Sequence, residues 1–179
     1  MDDEFIQQLQ DSVRTVPDFP IEGIMFRDIT PVLANGELLA NVVDRMVQDI
    51  GKLGWSPTHI VGPESRGFIF GSMVALQMGI GFIPVRKPGK LPHEIESVKY
   101  SLEYGENILE IHKDALNEED RVVIVDDLLA TGGTVAASVQ LCQSIGSNVL
   151  GGVFLIELDG LNGRENSGID VFALLNYPA

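Results

Sequence analysis

The chain reads as an α/β protein with a mostly parallel central sheet covered by helices on both faces. Three observations predict this. Short β-branched runs alternate with stretches of helical period. The run Val122-Val123-Ile124-Val125 is apolar at every position, as a strand buried on both faces must be. Several of the strands lead into loops rich in glycine or basic residues, and in such sheets those loops collect at one rim.

Each element follows from its own pattern. Residues 3–14 carry Phe5, Ile6, Leu9 and Val13 on one face, a short amphipathic helix. Residues 15–30 hold Pro17, Pro20 and Gly23, so an irregular segment is expected. Residues 36–53 show the strongest helical period: Leu38, Leu39, Val42, Val43, Met46, Val47, Ile50 and Leu53, with Gly54 as a stop. Residues 59–62 form a short buried strand, 67–78 a helix with small residues, and 81–85 the next strand. Around 99–104 and 107–111 two mixed segments read as a hairpin joined at Gly105-Glu106. Residues 121–125 are a strand. A helix follows on Val135, Val139, Cys142 and Ile145, with Gly146 ending it. A strand at 149–156, a short helix near 160–167 and a last strand at 171–175 complete the chain.

Composition bounds the function. At 179 residues the chain suits one substantial domain. The net charge of −14 argues against nucleic acid, whose binding depends on exchanging counterions for Lys and Arg. It argues equally against an anionic membrane surface, and no apolar run approaches spanning length. Cys142 is the only cysteine and sits on an apolar helical stripe, so it reads as core. His59, His93 and His112 lack a metal-ligand spacing. The N-terminus has neither a basic region nor an apolar stretch of signal type, so a cytoplasmic location is expected.

The chemistry is concentrated in three loops. The first is Asp126-Asp127-Leu128-Leu129-Ala130-Thr131-Gly132-Gly133-Thr134: two carboxylates where the strand should end, then two hydroxyls and two glycines before a helix. Loop amides and a helix N-terminus both offer N–H groups to an anion. A ligand with a phosphate at one side and hydroxyls at the other, such as a ribose 5-phosphate, suits that combination. The run is neither a Walker A nor a Rossmann fingerprint. The second loop, Gly62-Pro63-Glu64-Ser65-Arg66-Gly67, places an arginine at a helix start. The third, Arg86-Lys87-Pro88-Gly89-Lys90, is basic in an acidic chain.

The first loop with its strand is similar to the phosphoribosyl-diphosphate motif of the type I phosphoribosyltransferases. Phe26-Arg27-Asp28-Ile29-Thr30, Arg66-Gly67-Phe68, the run from Pro84 to Pro92, and Tyr100-Ser101-Leu102-Glu103-Tyr104-Gly105 resemble the adenine phosphoribosyltransferases in order and spacing. The likeness spans nearly the whole chain; Lys99 departs from it, standing where a small hydroxyl residue is usual.

The resemblance implies a type I phosphoribosyltransferase-like fold over residues 1–179 as a single domain. An N-terminal hood is formed mainly by 1–35 and a flexible catalytic hairpin by about 86–112. It implies transfer of 5-phosphoribose from 5-phospho-α-D-ribose 1-diphosphate to N9 of adenine, giving AMP and diphosphate. Asp126 and Asp127 would hold the ribose hydroxyls, and Ala130, Thr131, Gly132, Gly133 and Thr134 the 5-phosphate. Glu64, Ser65, Arg66, Arg86, Lys87, Lys90 and Tyr104 would surround the diphosphate, with Arg86 reaching across a homodimer interface. Met25 and Leu128 would sandwich the purine, Phe26 would belong to the same adenine pocket, and the backbone around Arg27 would read the 6-amino edge. Glu103 would transfer the proton, so that Glu103, Asp126, Asp127 and Arg66 form the catalytic set. Mg²⁺ would be bound mainly through substrate oxygens, without a protein cage. A cis peptide between Glu64 and Ser65 is implied as well. Two other readings fit the motif: a phosphoribosyltransferase for another nucleobase, and a phosphoribosyl-diphosphate-sensing regulator.

Overall fold

A computed structural model describes residues 2–102 and 105–179. Helix α1 (Asp2–Ser12) buries Leu9 and leads into a small antiparallel pair, β1 (Arg14–Pro17) with β2 (Met25–Asp28). This pair is a departure from the irregular segment expected at 15–30. Its two prolines of greatest concern, Pro17 and Pro20, fall at the end of β1 and in the connection, where no ladder N–H is needed. A short helix α2 (Thr30–Ala34) follows, with Pro31 in its first turn, where a missing N–H costs nothing.

Helix α3 (Gly36–Lys52) is capped by the Asn35 side chain, which accepts from Leu38 N at 3.1 Å. It buries Leu38, Val42, Val43, Met46 and Ile50. Leu53 lies just beyond the helix and is 45% exposed, so the stripe ends one turn earlier than its apolar pattern suggests.

Five strands form the central sheet: β3 (His59–Pro63), β4 (Gly81–Val85), β7 (Arg121–Leu129), β8 (Asn148–Asp159) and β9 (Val171–Pro178). Helix α4 (Gly67–Met78) connects β3 to β4. Strands β5 (Ile95–Leu102) and β6 (Gly105–His112) stand apart as an antiparallel hairpin. Helix α5 (Gly133–Ser144) joins β7 to β8, and α6 (Gly163–Ser167) joins β8 to β9. The order across the sheet is β4-β3-β7-β8-β9, and every pair is parallel, as the apolar runs required. Successive strands step outward in one direction from β3 and in the other from β7. The reversal lies between β3 and β7, where the loops leaving the two strands are forced apart and a crevice opens.

The sheet is packed on both faces. Alternation along β7 sends Val123 and Val125 to a core shared with α3 and α4, and Val122 and Ile124 to a core shared with α5 and the hairpin. Cys142 belongs to the second core, and burial pushes its thiol up to about 12. Two boundaries differ from expectation. β7 continues through Asp126 and Asp127 to Leu129, because β8 extends alongside it to pair with Leu128 and Leu129. β5 ends at Leu102 and β6 begins at Gly105, so Gly105 and Glu106 belong to a strand rather than to the turn. Among the described residues, no helix is long and apolar enough to cross a membrane.

Ile124 is fully buried on the central strand. Ile124→Ala is expected to cost about 2–5 kcal/mol of unfolding free energy, measured by urea denaturation, because lost burial and an unfilled cavity add.

Candidate active site

A cavity of about 270 Å³ opens at the reversal point between β3 and β7. Its walls are residues 64–66, from the loop after β3, and residues 126–135, from the end of β7 and the loop into α5. The parallel register that sets His59, Ile60 and Val61 against Val122, Val123 and Ile124 brings these two loops together.

The acids come first. Asp127 is 3% exposed, and its Oδ2 meets Arg66 Nε at 2.8 Å. Asp127 N donates to Asp126 Oδ1 at 2.9 Å. Burial, and then the neighbouring Asp127 charge, hold the Asp126 carboxyl well above its ordinary range. Burial also raises Asp127, with Arg66 pulling the other way. Helix α4 crosses close to this pair. A Cβ on Gly67 would stand 2.9 Å from Val125 O and 3.2 Å from Asp126 Oδ1, so only glycine lets the helix start there.

The loop that follows β7 presents a free helix end. Gly132 caps α5 in the left-handed region at φ 82°, and no side chain caps the helix. The first-turn N–H groups of α5 therefore remain available to an anion. Thr134 Oγ1 lies 3.4 Å from Tyr100 Oη, which ties this loop to the hairpin.

The cations gather on one carboxylate. Glu64 takes a close contact from Lys90 Nζ, accepts from Lys87 N at 3.0 Å, and lies 3.3 Å from Arg86 Nε. Lys90, then the Lys87 amide and Arg86, lower its carboxyl to about 2. Arg86 also rests 5.7 Å above the Phe68 ring. The Glu64–Ser65 peptide is cis.

Residues 30–175 match the phosphoribosyl transferase domain family. The adenine phosphoribosyltransferase of Francisella tularensis subsp. tularensis is 52% identical over 170 residues, covering 94% of this chain and 97% of that protein. The chain belongs to the adenine phosphoribosyltransferases. Solved structures of the family agree in fold. The enzyme from Thermoanaerobacter pseudethanolicus superimposes with a TM-score of 0.87 at 47% identity, covering 96% of this chain and 99% of that one. The Saccharomyces cerevisiae enzyme, complexed with adenine and an imino-altritol bisphosphate, superimposes with a TM-score of 0.93 at 40% identity, covering 97% and 99%.

The residues expected from the sequence fall into three groups. Glu64, Ser65, Arg66, Asp126, Asp127, Leu128, Ala130, Thr131, Gly132, Gly133 and Thr134 all line the one cavity. Arg86 and Lys90 reach its edge through Glu64, as does Lys87 through its backbone N–H. Met25, Phe26 and Arg27 sit on β2, outside the cavity's lining. There Met25 is 44% exposed, and Phe26 packs edge-on to Phe19 with centroids 5.0 Å apart. The Arg27 side chain turns away to Thr15 Oγ1 at 2.6 Å and lies 4.4 Å over the Tyr177 ring. Glu103 and Tyr104 lie outside the described residues. Among the described residues, no group of three or more His, Cys, Asp or Glu gathers as metal ligands. Tyr100 and Asn166, which donates to Thr131 O at 2.8 Å, were not anticipated. Tyr100 could have been found as the hairpin aromatic beside the motif; nothing local marks Asn166.

The contribution of the Glu64 cluster is fully present above the usual glutamate value of 4.5 and is lost only as pH falls toward about 2. A ¹³C titration of the Glu64 carboxyl should show that low midpoint, moving upward in Lys90→Ala. Asp126 has the opposite sign. Its raised value means the unfolded chain releases this proton first, so stability declines as pH rises from the ordinary carboxylate range. Asp126→Asn, whose Oδ1 can still accept from Asp127 N, should therefore melt a few degrees above the parent near pH 8. Calorimetry should show the difference narrowing as pH falls toward the ordinary carboxylate range.

Proposed function

We propose that this chain transfers 5-phosphoribose from 5-phospho-α-D-ribose 1-diphosphate to N9 of adenine, releasing diphosphate and forming AMP, as in purine salvage. The observation that carries this reading is the single cavity in which a desolvated acidic pair, an arginine and a free helix N-terminus converge. Each of those groups suits a different part of one substrate. The likeness to enzymes named for adenine, one of them complexed with adenine and a bisphosphate, supports the same base and the same two-ended ligand. We read residues 1–179 as one domain, with its hood mainly in 1–35 and its hairpin at about 86–112.

In this reading the 5-phosphate lies against residues 130–134, and Asp126 and Asp127 accept from the ribose hydroxyls. Cleavage of the C1–O bond to diphosphate, as N9 attacks C1, leaves positive charge on the ring. Two carboxylates that burial has stripped of water stabilise such a charge more than solvated ones would. Arg66 faces the leaving diphosphate, with the backbone of Glu64 and Ser65 beside it. Lys87 and Lys90 exchange their hold on Glu64 for the diphosphate oxygens, Arg86 releases Glu64 to reach the diphosphate of the partner subunit, and Tyr104 shields the reacting centre.

Met25 and Leu128 bracket the purine. The Arg27 guanidinium is committed to Thr15 and Tyr177, which leaves its backbone, beside Phe26, to read the 6-amino edge. A donor placed there discriminates against 6-oxo purines by leaving a buried polar group unpaired. Glu103 takes the proton that adenine loses.

Asp126 and Asp127, whose carboxylates line the cavity, would stand beside a Mg²⁺ ion carried mainly on substrate oxygens. Bound there, the ion would neutralise the diphosphate as it leaves. We also propose a homodimer. Ile69 and Leu76 leave an apolar face on α4, the helix that begins at the diphosphate loop, and a partner's Arg86 could complete the site. The reaction would take place in the cytoplasm, where a single buried thiol is unexceptional.

The first test is product formation from phosphoribosyl diphosphate and Mg²⁺ with adenine, hypoxanthine and guanine offered separately. AMP from adenine alone is the expected result. IMP or GMP would overturn the base assignment, and no product from any base would overturn the enzymatic reading in favour of a sensor. Within the adenine reaction, Glu103→Gln should lower turnover more than it weakens either substrate's binding. An unchanged turnover would remove Glu103 from the mechanism.

A further inference from the structure

We propose that the α6 turn, through Asn166 and Gly163, is a positioning element that aims two backbone amides of the 130–134 loop at the substrate's 5-phosphate. This rests on the assignment of that loop to the phosphate.

The turn and the loop are packed backbone against backbone. A Cβ on Gly163 would stand 2.3 Å from Ala130 O, and a Cβ on Gly132 would stand 2.4 Å from Gly163 O. No other residue fits at either position, and Gly132 also holds φ at 82°, which disfavours a side chain. Asn166 Nδ2 then donates to Thr131 O at 2.8 Å. The carbonyls of Ala130 and Thr131 therefore both face the turn. Among the described residues, only the Phe19–Pro20 and Glu64–Ser65 peptides are cis, so both loop peptides are trans. In a trans peptide the N–H points opposite its C=O. The N–H groups of Thr131 and Gly132 are thus directed away from the turn, toward the cavity these residues line. Neither donates to another group among the described residues.

The turn can impose this orientation because it is itself held fast. Arg164 grips Glu157 through Nε at 2.7 Å and Nη2 at 2.6 Å, and its Nη1 donates to Val171 O at 2.5 Å. Glu157 is buried on β8 and pairs in register with Leu129, the residue before the loop. Sheet, salt bridge, turn and loop therefore form one connected support. If the Asn166 hydrogen bond is lost, the peptide between Thr131 and Gly132 is free to rotate. Rotation would bring a carbonyl oxygen toward the phosphate in place of an N–H.

Asn166 is exposed, so its replacement should not unfold the protein. Three variants separate positioning from structure. Asn166→Ala and Asn166→Asp remove the donor, the second without changing shape; Asn166→Gln keeps it on a longer arm. With wild-type activity on adenine as the reference, both donor-less variants should raise KM for phosphoribosyl diphosphate about threefold to tenfold. KM for adenine should stay unchanged, melting temperature should hold within a degree or two, and Asn166→Gln should recover part of the loss. A merely structural role would lower melting temperature and active fraction without moving the phosphoribosyl-diphosphate KM, and that result overturns the proposal. Calorimetric titration with ribose 5-phosphate supplies an arm independent of turnover: affinity should fall by the same factor in Asn166→Ala. Equal affinity would also overturn it. A wild-type protein that binds ribose 5-phosphate but makes no product would instead count against the enzymatic reading.

Discussion

The parallel pairing of β3 with β7 is the constraint on which the rest depends. Each strand alone ends in an unremarkable loop, one with an arginine and the other with two acids and two glycines. Side by side, with β4 stepping away from β3 and β8 from β7, the two strands leave an opening at their ends and set Arg66 against Asp127. Both faces of β7 are covered, so a one-residue slip in register would exchange Val122 and Ile124 for Val123 and Val125 between two filled cores. The core therefore holds the site in register: moving the acids means repacking both halves of the protein.

The site is electrostatically expensive as it stands. Two adjacent carboxylates are buried with one arginine between them and solvent, and burial raises both. On the other side, one glutamate gathers Lys90, Arg86 and the Lys87 amide and is lowered to about 2. Each charged group is thus partly compensated by an opposite charge beside it, in walls a few residues from one another. A substrate that carries an anion at each end and develops a cation in the middle meets both needs at once. In the proposed reaction, the buried acidic pair is costly in the free protein and becomes favourable when a cation develops beside it, which is how a preorganised active site differs from a stabilising ion-pair cluster.

Much of this was legible in the sequence, for reasons that can be named. The β-branched run at 122–125 and the helical stripe of α3 are strong local patterns, and both elements stand where they were expected. The motif of residues 126–134 is local too, and all of it lines one cavity. What failed was whatever depends on a partner strand. β1 and β2 are four residues each, β1 ends in Pro17 and Pro20 stands between them; only their mutual pairing makes them strands. β7 runs four residues past its apolar stretch because β8 supplies the hydrogen bonds. The hairpin turn was misplaced by residues whose strand identity comes from register, not composition. Strand order, and hence the location of the crevice, has no local signature at all.

The same distinction explains why α6 is legible as a short helix while its contact with the loop is not. Gly163 and Asn166 lie some thirty residues beyond the loop they touch, in a turn whose own sequence suggests only a helix cap. A phosphate loop must keep several N–H groups pointed inward while nothing is bound, although each would be better solvated if the loop relaxed. Glycine permits the required geometry but does not enforce it, because the same freedom admits many others. Enforcement has to come from outside the loop, from a donor and a close backbone that occupy the carbonyls on the far side. In this chain that support is non-local and ends in the ion pair that Arg164 of α6 makes with the buried Glu157 on the sheet. The rigidity of the anion site is therefore a property of β8 and α6 as much as of the residues that would touch the phosphate.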